Sequence, residues 1–143
     1  MKVLPIARII LVDSQMERRQ ATRLALSALG VGSVREAASI DEVADPAAHG
    51  TADVLVVQVD DPDDAPANPF RFGAGIPAVL VAEVPVQQLV RVAGRGGYDA
   101  ALGAPVAPRL LYRRIGSVLQ RARRLGRPAP AVVAEPADLV TAG

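Results

Sequence analysis

The densest group of chemically capable side chains in this sequence is the acidic run Asp60-Asp61-Pro62-Asp63-Asp64. Carboxylates at this DDxxD spacing hold Mg²⁺-diphosphate when a helix of a large all-α fold presents them. Here the run follows an aliphatic stretch, Val54-Leu55-Val56-Val57, in a short chain, so it reads as a solvated acidic loop. Asp13 ends a second such stretch, Ile9-Ile10-Leu11-Val12. A carboxylate in that place either holds a cation together with the Asp60 carbonyl or accepts N–H groups of the loop that follows. Gly94-Arg95-Gly96-Gly97 has the glycine content of a phosphate cradle. It follows a helical stretch instead of opening one, so it lacks the dipole field that such cradles use and reads as a helix end and turn.

His49, in the loop Ala47-Ala48-His49-Gly50-Thr51, is the single histidine, and there is no cysteine. Multi-histidine metal sites, Cys-ligated zinc, thiolate nucleophiles and disulfides are thereby excluded. A Ser-His-Asp triad requires His49 as its base, and no supporting order of Ser and Asp accompanies it. The cations are unevenly spread. Residues 1–106 carry nine basic and thirteen acidic side chains, whereas residues 107–127 carry seven arginines and no acid. The net charge of +1 hides this basic stretch. It reads as a solvated or partner-facing helix, with contact to nucleic-acid phosphates as the competing reading.

The elements that must position these groups follow from apolar spacing. Ile9–Val12, Val54–Val57 and Pro77–Val81 are unbroken aliphatic runs, as in buried parallel strands. Val31–Ala37 and Tyr98–Leu102 are weaker strands. The first helix is expected over Gln15–Leu29, with Ser14 as its cap, Gly30 as its stop and Ala21, Leu24, Ala25 and Ala28 on its inner face. Glu17, Arg18, Arg19 and Arg23 fall on the outer face. Ser39 caps a short helix through Ile40, Val43 and Ala44. Val86–Ala93 is a further short helix. Pro108 opens the longest one, to about Leu125, with Leu110, Leu111, Ile115, Val118, Leu119, Ala122 and Leu125 inward. Residues 59–75, rich in Asp, Pro and Gly, resist helix beyond one turn from Asn68 to Phe72. Residues 1–6 read as an extension and 126–143 as a flexible Pro/Ala-rich tail. No apolar run is long enough to cross a membrane, and a soluble, cytoplasmic protein is expected. Strands and helices thus alternate, which implies an open parallel sheet covered on both faces, with ligands at the C-terminal strand edge.

This order resembles the receiver domain of bacterial two-component response regulators over about residues 7–125. The resemblance rests on Ile9-Ile10-Leu11-Val12-Asp13, Ala52-Asp53-Val54-Leu55-Val56-Val57-Gln58 with Pro62 beyond, Ile76-Pro77-Ala78-Val79-Leu80-Val81-Ala82, and Gly97-Tyr98-Asp99-Ala100-Ala101-Leu102-Gly103-Ala104-Pro105. It implies a flavodoxin-like, doubly wound α/β fold with five parallel strands in the order 2-1-3-4-5. The third helix is expected to be reduced or missing. The family's Lys-Pro bond is commonly cis, and the Ala104-Pro105 bond at that place is expected to be cis too.

The resemblance also implies a degenerate phosphorylation pocket. The family's acidic pair falls on Asp13-Ser14, its phosphoacceptor aspartate on Gln58, its Thr/Ser on Ala82 and its lysine on Ala104. An amide is a poor nucleophile where phosphotransfer needs a carboxylate oxygen. Asp13 is a weak metal candidate, and no cofactor is expected. The implied protein is a non-catalytic pseudo-receiver that works by protein–protein contact, not an enzyme. The family's contact surface of fourth helix, fifth strand and fifth helix falls on Arg91, Arg95, Asp99, Tyr112 and Arg113. A two-fold homodimer through residues 86–115 is the expected self-contact. The alternatives are a receiver phosphorylated at a shifted Asp60 or Asp61, which needs a strand bulge, a nucleic-acid-linked regulator using the Arg-rich last helix, and a small-molecule sensor using the vacated pocket.

Overall fold

The computed structural model describes residues 7–43, 52–70, 76–83 and 85–124. The expected extension 1–6, the His49 loop, residues 71–75 and the tail 126–143 lie outside the described residues, as does the expected helix beyond Val43. Five strands form one sheet: β1 (Arg8–Val12), β2 (Ser33–Ala37), β3 (Val54–Val59), β4 (Ala78–Ala82) and β5 (Ala100–Gly103). Their order is β2-β1-β3-β4-β5, and every pairing is parallel. The α-helices are α1 (Met16–Ala28), α2 (Val86–Gly96) and α3 (Pro108–Arg124).

The central strands β1, β3 and β4 are aliphatic on both faces because both faces are covered. Ile9, Leu11, Val54, Val56, Val79, Val81 and Leu102 pack on one side with Leu26 of α1 and Leu111, Ile115, Val118 and Leu119 of α3. Ile10, Val12, Leu55, Val57 and Leu80 alternate to the other side, where they meet Val43, Phe70 and, from α2, Leu89 and Ala93. The two-residue period of the strands thus divides the core into two apolar layers, one on each side of the sheet.

No α-helix lies between β3 and β4 among the described residues. Pro62–Asp64 makes a single 3-10 turn, with Asp61 Oδ1 accepting the Asp63 N–H at 2.9 Å. The coil that follows is tied to the end of α2. Asn68, buried, receives the Phe70 N–H, donates its amide to the Gly97 carbonyl and donates its backbone N–H to the Gly96 carbonyl. Tyr98 Oη donates to the Pro66 carbonyl at 2.6 Å. Phe70 then fills the core layer that a helix would otherwise cover. The Ala104-Pro105 bond is cis, as the resemblance implies.

Several local expectations are corrected. Ser14 is exposed, and the N-cap of α1 is Gln15. The Gln15 N–H is taken by Asp13 Oδ1 at 2.9 Å, so the strand-end aspartate does the turn's work. α1 seats a different face from the one its alanines suggest: Leu26 is buried, while Ala21, Leu24 and Ala28 are exposed. Arg19 and Arg23 lie on the seated side because Glu36 on β2 receives both guanidiniums, at 2.8 and 2.6 Å. α2 continues through Gly94, Arg95 and Gly96 and stops at Gly97, whose left-handed φ of 78° glycine adopts freely. Leu110 is exposed, so α3 buries a narrower stripe than its apolar content suggests.

The seating of α1 sets a mutational contrast. Leu26→Ala should lower stability by ~2–5 kcal/mol in urea unfolding, whereas Leu24→Ala should stay within ~0.5 kcal/mol. Equal losses would show that the helix packs on its alanine face.

Candidate functional site

The parallel register carries Asp13, Gln58, Ala82 and Ala104 to one edge of the sheet. Val12 pairs with Val57, so Asp13 and Gln58 are the next step of neighbouring strands. Gln58 then pairs with Val81 and Val59 with Ala82. The Ala104 N–H donates to the Ala82 carbonyl at 2.8 Å. The four positions therefore converge at the C-terminal strand edge, with exposed Ser14 beside them.

Asp13 is fully buried, and a buried carboxylate needs a partner. It has one in Arg18, whose Nε and Nη2 donate to Oδ2 and Oδ1 at 2.6 and 2.7 Å. Such a two-pronged guanidinium–carboxylate pair is the strongest common form of charge-assisted hydrogen bond. The same guanidinium reaches Asp60 with Nη1, and Gln15 Nε2 donates to the other Asp60 oxygen at 2.7 Å. Arg19 Nη1 closes the arrangement on the Asp13 backbone carbonyl at 2.7 Å.

The electrostatics follow from these contacts. The hydrogen bond to Asp13 raises the Arg18 pKa further above its ordinary value. The Arg18 hydrogen bond holds Asp60 below the usual carboxylate range. At Glu36 burial acts to raise the pKa, but the Arg19 and Arg23 guanidiniums together outweigh it and hold the carboxyl below its ordinary value. Three carboxylates and three guanidiniums thus balance around the start of α1.

Gln58 is buried, and its Oε1 has no hydrogen-bond partner. Ala82 is buried and Ala104 half-buried, and neither offers a hydroxyl or an ammonium group. The donor set does not fit a divalent cation. Such an ion takes oxygen ligands, preferably more than one carboxylate, but both Asp13 oxygens face a guanidinium that would repel it. Among the described residues no three acidic or histidine side chains gather as metal ligands.

Arg18 and Gln15 were not legible as site residues. Apolar spacing puts Arg18 outward, and only its position one turn into the helix after a strand-end aspartate hints at the pairing. Asp60 and Asp61 are both engaged, Asp60 by Arg18 and Gln15, Asp61 by the 3-10 turn. β3 stays in regular register through Val59, without the bulge that a shifted acceptor needs.

The expected contact residues separate. Arg91, Arg95 and Arg113 are exposed. Tyr112 is half-buried against the core layer beneath α1 and α3. Asp99 Oδ2 accepts the Ala78 N–H at 2.8 Å and lies in a groove with Arg114, Ser117 and Arg121, residues the contact surface expected from the resemblance did not include.

Solved structures match this architecture. A pilus assembly-related protein of Burkholderia pseudomallei superposes with a TM-score of 0.69 at 17% identity, covering 85% of this chain and 95% of that one. A response regulator receiver domain protein of Methanospirillum hungatei gives 0.66 at 19% identity, covering 82% and 97%. A two-component response regulator of Clostridium difficile also gives 0.66 at 19%, covering 80% and 97%. The chain has the receiver-domain fold. No family model and no curated protein matches its sequence. The sheet order is 2-1-3-4-5, and no described helix is long and apolar enough to cross a membrane.

Arg18→Ala strips the buried Asp13 carboxylate of its cation and should cost ~1–3 kcal/mol at neutral pH in urea unfolding. Glu36 and Asp60 have lowered folded values against references of 4.5 and 3.8, so their contribution is complete above pH 4.5 and lost as pH falls through the lowered values. The urea midpoint of the wild-type protein should therefore fall on acidification below pH 4.5. A midpoint that stays flat there would contradict the charge network.

Proposed function

We propose that this domain is a signalling module that works without phosphorylation: a receiver fold kept for its surfaces, with no phosphotransfer chemistry and no cofactor. The observation that carries this reading is Arg18. A guanidinium held by two carboxylates supplies a fixed positive charge where a phosphorylated receiver needs an exchangeable cation. The amide of Gln58 supports the same reading, because it provides no carboxylate nucleophile. Ala82 and Ala104 leave a phosphoryl group without a hydroxyl to follow it or an ammonium to neutralise it.

On this reading Asp13 and Arg18 are scaffold, and the degenerate pocket no longer responds to phosphodonor. Output passes through contacts with another protein, in a two-component or transcription-regulatory setting. The fold likeness to a pilus assembly-related protein extends the range of assemblies in which such a module serves. Self-association through residues 86–115 is a second form of the same reading, favoured by Val90 of α2, which stands 64% exposed.

Incubation with acetyl phosphate and Mg²⁺, followed by intact-mass spectrometry, tests the reading. The wild-type protein should carry no phosphoryl adduct. Gln58→Asp should not regain switching, since Arg18 still occupies Asp13 and Ala104 supplies no cation. A wild-type adduct mapped to Asp60 or Asp61 would instead establish the shifted acceptor.

A further inference from the structure

The charges of this domain are paired around α1 and left over on α3. Among the described residues Arg8, Arg18, Arg19 and Arg23 each pair with a carboxylate. The six arginines of α3 are all exposed, none has an ion pair among the described residues, and the helix contains no acid. They divide by face. Arg114 and Arg121 line a groove whose far wall carries Asp99, so an acid of the domain itself stands against them. Arg109, Arg113 and Arg124 do not line that groove. With Gln120, and with Ser117 at the groove's rim, they follow spacings of three and four residues and form one stripe opposite the buried Leu111, Ile115, Val118 and Ala122. Helix stability does not account for this stripe. Arg109 lies in the first turn, where the helix dipole disfavours a cation, and Arg109 and Arg113, four residues apart, repel each other.

The surroundings of the stripe select its partner. A protein interface needs an apolar or aromatic centre, and the large apolar side chain exposed on this helix is Leu110, at one end. A lipid surface takes up the apolar side of a basic helix, but here that side is committed to the core through Leu111, Ile115, Val118 and Leu119. Single-stranded nucleic acid is held by stacking on aromatic rings, and Tyr112 of α3 is half-buried. The phosphates of a duplex ask for none of these; they take guanidinium forks and close approach. The middle of the stripe permits that approach. Gly116 has no side chain, and Ser117 turns its hydroxyl back onto the Arg113 carbonyl at 3.1 Å. The ~12 Å major groove of B-DNA accepts a helix face, whereas the deep, narrow one of A-form RNA does not.

We propose that the outer face of α3 binds the phosphate backbone of double-stranded DNA, through Arg109 and Arg113 at one end and Arg124 at the other. Arg109 and Arg124 lie fifteen residues apart, or ~22 Å along the helix. That is about two-thirds of a duplex turn of ~34 Å, so the two ends meet separate phosphates while the low middle of the stripe passes between them. Contacts of this kind carry no sequence information, and the binding is sequence-independent. The proposal goes beyond the signalling reading and does not rest on it: a phosphoryl adduct in the phosphodonor experiment would leave it standing.

The test is fluorescence anisotropy of a fluorescein-labelled DNA duplex about two turns long, titrated with the full chain over a sodium chloride series. Binding should be saturable at low salt, and log affinity should fall against log salt with a slope of about −2.7, or about −0.9 for each of three phosphates. Arg113→Gln/Arg124→Gln should weaken binding at least about tenfold and flatten the slope by about 1.8. Arg114→Gln/Arg121→Gln removes the same charge from the side that Asp99 opposes, and should stay within about threefold of wild type. Circular dichroism of each variant shows that the fold is kept. Amide shifts on addition of the duplex should centre on residues 109–124. Competition by duplex RNA, oligothymidylate, polyglutamate and phosphatidylserine vesicles separates the other polyanions. Absence of saturable binding, equal loss from both pairs, or tighter binding to any of these competitors than to the DNA duplex would overturn the proposal.

Discussion

The buried pair between Asp13 and Arg18 is the constraint around which this domain is organised. Asp13 ends β1 with no exposure to solvent, a position that an uncompensated carboxylate cannot hold at neutral pH without severe cost. Arg18 meets it from the first turn of α1 and reaches Asp60 beyond β3. One side chain thereby joins the ends of two neighbouring strands to the helix that follows the first. Asp13 in turn takes the Gln15 N–H, so the same carboxylate sets where α1 begins. The seating of α1 is completed by Arg19 and Arg23 on Glu36, which ties the helix to the edge strand β2.

That network bears on function because it lies at the edge where open parallel sheets bind their ligands. A switching receiver must exchange a cation and admit a phosphoryl group at this edge. A covalently attached guanidinium is a cation that does not leave. Its charge is satisfied by the carboxylates it bridges. On the proposed reading, the chemistry of the edge is traded for stability of the β1–α1 junction. Meanwhile the arginines of α3, without an ion pair among the described residues, leave that helix with an unmatched field. Charge that is neutralised internally holds the fold together, and charge that is not steers partners.

The sheet was legible because its strands are unbroken Val, Ile and Leu runs, and all seven positions Ile10, Val12, Leu55, Val57, Val79, Val81 and Leu102 are buried. Pro62 and Pro66 likewise announced the missing helix, and a 3-10 turn stands at its start. The seated face of α1 was not legible. Apolar spacing counts arginine as outward, but a guanidinium paired with Glu36 lies comfortably against a sheet edge with its stem packed inward. Gly94 and Gly96 misled in another way: they read as a helix end, yet α2 passes through them. A Cβ at Gly96 would stand 2.9 Å from the Tyr98 ring, so this glycine answers to a close approach and not to a turn. Arg18 was hidden for a third reason. Its partners are five and forty-two residues away, and only the register of β1 against β3 brings them together.

On the proposed reading, the strand edge depends on Arg18 as its resident cation. Titration of Mg²⁺ into ¹⁵N-labelled wild-type and Arg18→Ala protein, followed at the amides of Asp13, Gln58 and Asp60, addresses that dependence directly. The wild-type amides should show no saturable shift in the low millimolar range. Arg18→Ala, with the Asp13 and Asp60 carboxylates released, should gain one. A wild-type protein that binds Mg²⁺ at these residues as tightly as the variant would contradict the account.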